Sequence, residues 1–196
     1  MKFRIVLVAA IMSLCGALLA SAEPRSISVQ GGRSTPLGDL ADGVLGGAYV
    51  GVSANQPIGR QQLLFLDVNH HVLHEKTTVL LPGYLALRQG IRITETAVGF
   101  RIMLTPPRVP ISPYFKFGVA LEFVEPKLVL DTTYQSVYVT DPRFWPGFLA
   151  AAGVSVPLGA SAGLRLEGML REIESNPKAL DVGTVGLSFW TRFAGR

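Results

Sequence analysis

From Ser112 to Phe123 the chain alternates two kinds of side chain, and few folds can satisfy both. Phe115, Phe117, Val119, Leu121 and Phe123 share one face of an extended strand, and Tyr114, Lys116, Gly118, Ala120 and Glu122 share the other, because side chains in a strand repeat with a period of two. A soluble sheet would turn the Phe face onto a core and the Lys/Glu face to water. A membrane barrel inverts this, with the apolar face in lipid and the charged face in the lumen. The rest of the chain decides between the two.

Residues 1–22 read as a secretory signal peptide. Met1-Lys2-Phe3-Arg4 is basic, Ile5–Ala20 is apolar, and Ala20-Ser21-Ala22 is a small-residue cleavage site before Glu23. The apolar run is shorter than the ~20 residues a membrane helix needs. The only cysteine, Cys15, lies in this segment behind Leu14, where lipidation would want a small residue. The mature chain is therefore expected to have no disulfide, thiolate nucleophile or cysteine-bound metal. The formal charge of +4 loses Lys2 and Arg4 with the signal, and what remains is slight and evenly spread, which argues against nucleic acid as a partner. Hydrophobic residues make up 48% of the sequence, yet no later run approaches the length of a spanning helix. An exported, apolar chain of this kind is a sheet-rich soluble domain or a transmembrane barrel.

Residues 23–46 are rich in Gly, Ser, Pro and Asp and read as an irregular leader with one short strand, Ser26–Val29. Barrel strands are expected over 47–196. They are Gly47–Ala54, Gln62–Val68, Thr77–Leu87 with a bend at Pro82-Gly83, Thr96–Leu104, Ser112–Phe123, Phe144–Val156, Ala162–Arg171 and Val182–Phe193. No stretch shows a helical period. The fold class is thus all-β, an antiparallel up-and-down transmembrane β-barrel of about eight strands. With both termini on the periplasmic side, the connections at 124–143 and 172–181 fall outside and those at 105–111 and 157–161 inside. The long connections then lie outside and the short ones inside, as in outer-membrane barrels.

The strand Ser112–Phe123, the turn-linked pair Phe148–Arg171 and the closing strand Val182–Phe193 (VGTVGLSFWTRF) resemble the small outer-membrane β-barrels of Gram-negative bacteria, of the OmpA-like and OmpW-like kind. The resemblance covers the last half of the chain. It implies location in the outer membrane, contact with outer-membrane lipid and insertion by the barrel assembly machinery.

Within the expected barrel, Arg101, Lys116, Glu122, Arg165, Glu167, Arg171 and Arg192 fall on the lumen face. Phe115, Phe117, Val119, Leu121, Phe123, Leu164, Leu166, Leu187 and Phe189 fall on the lipid face. A mid-plane Arg or Lys in lipid costs about 2–4 kcal/mol, so these charges require a polar interior. They form either a packed salt-bridge core or a narrow passage whose cationic excess favours anions. His70, His71 and His74 cluster in a segment read as a periplasmic turn. In a strand His70 and His74 would stand roughly 13 Å apart, too far for one ion, so neither metal nor cofactor is expected. A serine nucleophile needs a base within hydrogen-bond reach. With every histidine in that turn and no His-x-Ser motif of the lipid A deacylase kind, no catalytic residue is singled out and the protein is read as non-enzymatic. Two readings remain. One is an outer-membrane barrel with a structural, surface-interaction or small-solute permeation role, its partners being solutes or surface ligands. The other is a soluble periplasmic barrel holding an apolar ligand on its Phe face; a lipid-modifying barrel enzyme stands behind both.

Overall fold

The structure is a computed structural model that describes residues 26–82, 84–105, 109–132, 135–175 and 179–193. The expected signal segment, its cleavage site and Cys15 lie outside the described residues. The described chain forms nine strands: β1 (Ser26–Leu37), β2 (Val44–Pro57), β3 (Gln62–Leu81), β4 (Leu85–Met103), β5 (Ser112–Thr132), β6 (Ser136–Val139), β7 (Arg143–Pro157), β8 (Ala162–Ile173) and β9 (Leu180–Arg192), with one helical turn at Leu40–Gly43. Each of the eight long strands pairs antiparallel with its sequence neighbour, and β1 pairs with β9, so the sheet closes into an eight-stranded barrel; β6 is a short addition on the far part of β5.

The register fixes the barrel's shape. Passing from partner to partner, Leu37 leads to Asp181, Glu172, Phe148, Val119, Val98, Leu66, Ala54 and back to β1 at Ile27. The circuit returns ten residues from where it began. At ~3.3 Å per residue and ~4.8 Å between strands, that stagger over eight strands tilts them by about 40°, within the range that closes a small barrel around an interior just wide enough for side chains.

The outside is apolar and the inside polar. Phe115, Phe117, Leu166, Leu187 and Phe189 are each about half exposed on the outer wall, while Lys116, Glu122 and Arg171, on the opposite parity of the same strands, are almost fully enclosed. This excludes a soluble barrel with the Phe face inside. That reading would leave the charges in water, and the structure does the reverse.

Four expectations are corrected. The leader over 23–46 is, from Ser26 onward, the strand β1, the helical turn and the start of β2. The segment Thr77–Leu87 is not one strand. The chain reverses between Leu81 and Leu85, where the Tyr84 amide donates to the Leu81 carbonyl, and β3 and β4 run unbroken on either side. The histidines consequently lie in the middle of β3 rather than in a turn. One strand missed and one hairpin tip misread cancel in the count, which is why eight strands and the sides of the later connections still come out as expected. The expected connection 124–143 is itself mostly strand, taken up by the second half of β5 and by β6.

Candidate functional site

The inward residues of β5, in order, show how the lumen is filled. Tyr114 and Lys116 enter a polar layer, Ala120 an apolar one, Glu122 a second polar layer and Val124 an apolar plug.

In the first layer Lys116 binds Asp67 at 2.5 Å and Glu167 at 3.1 Å, and Arg101 lies 3.8 Å from Glu167 and donates to Asn55 at 2.7 Å. The Tyr114 hydroxyl donates to Glu167 at 2.8 Å. Aromatic faces take up the rest of the positive charge: Arg101 stands over Tyr114, Lys116 over Phe65 and Arg165 over Trp190, at 4.9, 4.7 and 5.4 Å. Above this, Phe65, Ala97, Ala120, Leu149, Ala151 and Met169 form an apolar layer. The second polar layer pairs Arg171 with Glu95, which also accepts from Asn69 at 2.6 Å; Glu122 is the cross-strand partner of Glu95. His71 bonds the Ser34 hydroxyl at 2.8 Å and stacks on Tyr49. Tyr49 fits because Gly32 and Gly186, partners on β1 and β9, leave room for its ring; a Cβ on Gly186 would stand 1.9 Å from the Tyr49 hydroxyl. At the far end Leu40, dropped in by the helical turn, joins Val44, Leu73, Ile93, Val124, Trp145, Ile173 and Val182 as the plug.

The structure places Arg101, Lys116, Glu122, Arg165, Glu167 and Arg171 together inside. Arg192 has the inward parity but stands exposed at the rim, over Trp190 at 4.9 Å. Asp67 and Glu95, both fully buried, complete the set. Sequence reasoning missed Asp67 because Leu63, Leu64, Phe65 and Leu66 make both faces of its strand apolar, and missed Glu95 because it stands one residue before the expected strand Thr96–Leu104. Among the described residues four enclosed cations thus face four enclosed carboxyl groups, of which Asp67, Glu95 and Glu167 take the ion pairs with Lys116, Arg101 and Arg171. Phe115, Phe117, Val119, Leu121, Phe123, Leu164, Leu166, Leu187 and Phe189 all point outward. His70 and His74 also point outward, His70 bonding the Thr94 hydroxyl, whereas His71 points in, so the three do not converge.

The second region is a sheet beyond the barrel. A tilted spanning strand needs about 9–11 residues, and β3, β4 and β5 have 20, 19 and 21. β2 leaves β3 at Glu75 and β7 leaves β5 at Val124, so past these points only β3, β4, β5 and β6 remain paired. One face carries an ion cluster. Arg88 binds Asp131 at 2.7 Å and Glu75 at 3.6 Å, and Lys127 binds Glu75 at 2.5 Å. The Lys127 ammonium holds the Glu75 carboxyl below its ordinary range; the Ser136 hydroxyl and the Arg88 guanidinium do the same for Asp131, which in turn holds Arg88 above its own. Val79, Leu80, Leu81 and Tyr84 at the hairpin tip, and Val137, Tyr138 and Val139 on the edge strand β6, are exposed.

No protein-family model matches the sequence, and no curated protein matches it. Solved structures do match in fold. Neisserial surface protein A is 12% identical, with 86% of this chain and 96% of that one covered and a TM-score of 0.60. The attachment invasion locus protein of Yersinia pestis is 15% identical over 86% and 97%, with a TM-score of 0.52. The outer membrane protein OprG from Pseudomonas aeruginosa is 10% identical over 86% and 96%, with a TM-score of 0.51. At these identities the likeness concerns the fold, which is that of the small outer-membrane barrels.

Proposed function

We propose that the protein resides in the outer membrane, reached through its amino-terminal signal and the barrel assembly machinery, and that it is a non-enzymatic surface-interaction protein whose working part is the projecting sheet. The observation that supports this most is the set of large apolar side chains held beyond the reach of lipid: Val79, Leu80, Leu81, Tyr84, Val137, Tyr138 and Val139. Large apolar side chains exposed on both faces of a sheet that projects past the barrel mark it as an interaction surface. β6 also pairs on one side only, leaving a row of backbone donors and acceptors for an added strand. The connections at the far end then face the outside, and the termini the periplasm.

The lumen supports a structural role rather than a passage, since ion-paired side chains and two apolar layers fill it. A planar-bilayer recording is expected to be flat, and discrete conductance steps would restore solute permeation. The Ser34–His71 contact, the kind of pair an acyl-transfer enzyme would need, is enclosed at 0% and 1% exposure. For the sheet, the test is the double substitution Val137→Lys, Tyr138→Lys on the open edge. Cells displaying this variant are expected to lose adherence to immobilised extracellular proteins while the barrel keeps its heat-modifiable gel mobility. Undiminished adherence would sink the reading.

A further inference from the structure

Where the sheet leaves the barrel there is a cleft of ≈ 690 Å³, lined by His74, Arg92, Glu125 and Lys127 and closed by Tyr138 and Pro142. Its level is set by the strand. Phe123 is the last apolar outward residue of β5 before Glu125, and it packs on Phe144 with ring centroids 4.8 Å apart. Glu125 stands two residues further along, about 7 Å beyond that aromatic pair. The cleft therefore opens where hydrocarbon gives way to head groups.

Two of its charges are placed in an unusual way. Arg92 and Glu125 are direct cross-strand partners on the same outward face. Among the described residues neither makes an ion pair, although Glu75, Arg88, Lys127 and Asp131 around them all do. A cation and an anion side by side, left open on a groove at the membrane border, match a ligand with the opposite charges the same short distance apart. We propose that this cleft binds the zwitterionic head group of a phosphoethanolamine lipid, with the phosphate on Arg92, the ammonium on Glu125 and the acyl chains running down over Val72, Phe123 and Phe144. The ammonium donates hydrogen bonds to the carboxylate, which distinguishes this head group from a choline. The phosphate is the strong acceptor a guanidinium selects.

The test is a titration of the folded barrel in detergent micelles with short-chain phosphatidylethanolamine, followed by backbone amide shifts. Phosphatidylglycerol, phosphatidylcholine and free O-phosphoethanolamine serve as competitors. Saturable shifts confined to residues around 74, 90–92 and 125–127 are expected, with phosphatidylethanolamine binding the tightest of the four. Removing one charge-assisted contact should weaken binding about tenfold. Arg92→Gln should thus weaken both phosphatidylethanolamine and phosphatidylglycerol, and Glu125→Gln phosphatidylethanolamine alone. Both positions face outward, and gel mobility verifies that the variants fold; the ranking of ligands on the unaltered protein needs no variant. Equal binding of phosphatidylethanolamine and phosphatidylglycerol would overturn the two-charge site. Free O-phosphoethanolamine binding as tightly as the lipid would overturn the membrane source, and shifts spread evenly over the outer wall would leave only a detergent-like belt.

Discussion

β3 and β4 run through two regions that treat charge in opposite ways. Inside the barrel their charged residues, Asp67, Glu95 and Arg101, are at most 1% exposed and point at partners across the lumen. A few residues further along the same strands, Glu75 and Arg88 sit on an open sheet with their side chains 31% and 38% exposed. The pairs look alike in a list of distances, yet the surroundings give them different weight. Where water is excluded, losing one partner strands a charge that nothing else can solvate. Where water is present, it replaces the partner at little cost. The barrel is thus held by its interior network, and the projecting sheet by backbone pairing with the ion cluster as a minor addition.

The sharpest way to break this contrast is Glu167→Ala. Glu167 touches Lys116, Arg101 and Tyr114, and its loss leaves two enclosed cations short of a partner, at a cost of about 3–5 kcal/mol. A clear fall in the temperature at which the folded gel band disappears is expected, and an unchanged band would mean that water reaches the lumen freely. Next comes Leu166→Arg on the lipid face, about half exposed in the belt, where a mid-plane cation costs about 2–4 kcal/mol; refolding yield into vesicles should drop. Gly186→Ala drives a methyl into the Tyr49 hydroxyl, and overpacking of this kind costs about 1–3 kcal/mol. Pairing it with Tyr49→Phe should recover part of the loss in the same melting assay.

The smallest effects belong to the sheet. Arg88→Ala is expected to leave the barrel's melting point where it was. Because Glu75 and Asp131 ionise more readily in the folded sheet than in a free chain, their contribution is complete above the ordinary carboxylate range and fades as pH falls through their lowered values. Acid should therefore speed amide hydrogen exchange in residues 76–90 and 125–139, after correction for the intrinsic rate, while the barrel strands stay protected. Equal loosening of both regions would show that the lumen network, too, is open to solvent.

The legibility of the sequence follows the same divide. Over Ser112–Phe123 and Ala162–Arg171 large apolar residues hold one face and charged residues recur on the other, so those strands and their faces could be read directly, whereas the second half of β5 and all of β6 lay inside the expected 124–143 connection. β1 could not be read because its inward residues are Ser28, Gln30, Gly32 and Ser34, and its outward face dilutes Ile27 and Val29 with Gly31, Arg33 and Thr35. Polar residues at a narrow lumen look like loop residues when counted. β3 and β4 failed for another reason. His70, Thr94 and Thr96 put polar atoms on the outer wall, and strands of 20 and 19 residues exceed what a single spanning segment requires. Starting the second of them at Thr96 left Glu95 out, the apolar run Leu63–Leu66 hid the face of Asp67, and with those two carboxylates went the partners of Arg171 and Lys116. The sheet itself, formed by the surplus length, was invisible for the same reason.

The closing seam has a temporal side. Ser26 pairs with Arg192 and Leu37 with Asp181, so the edge of β1 is covered only by β9, the described strand furthest from it along the chain. Contacts this distant in sequence form late and slowly, because the intervening chain must be gathered first. Until β9 arrives, β1 offers a bare row of amides and carbonyls to any strand that passes, including another copy of itself. The weak apolar signal that concealed β1 from sequence reasoning is then an advantage to the chain: Ser, Gly, Gln and Pro make it a poor template for the wrong partner until β9 has docked.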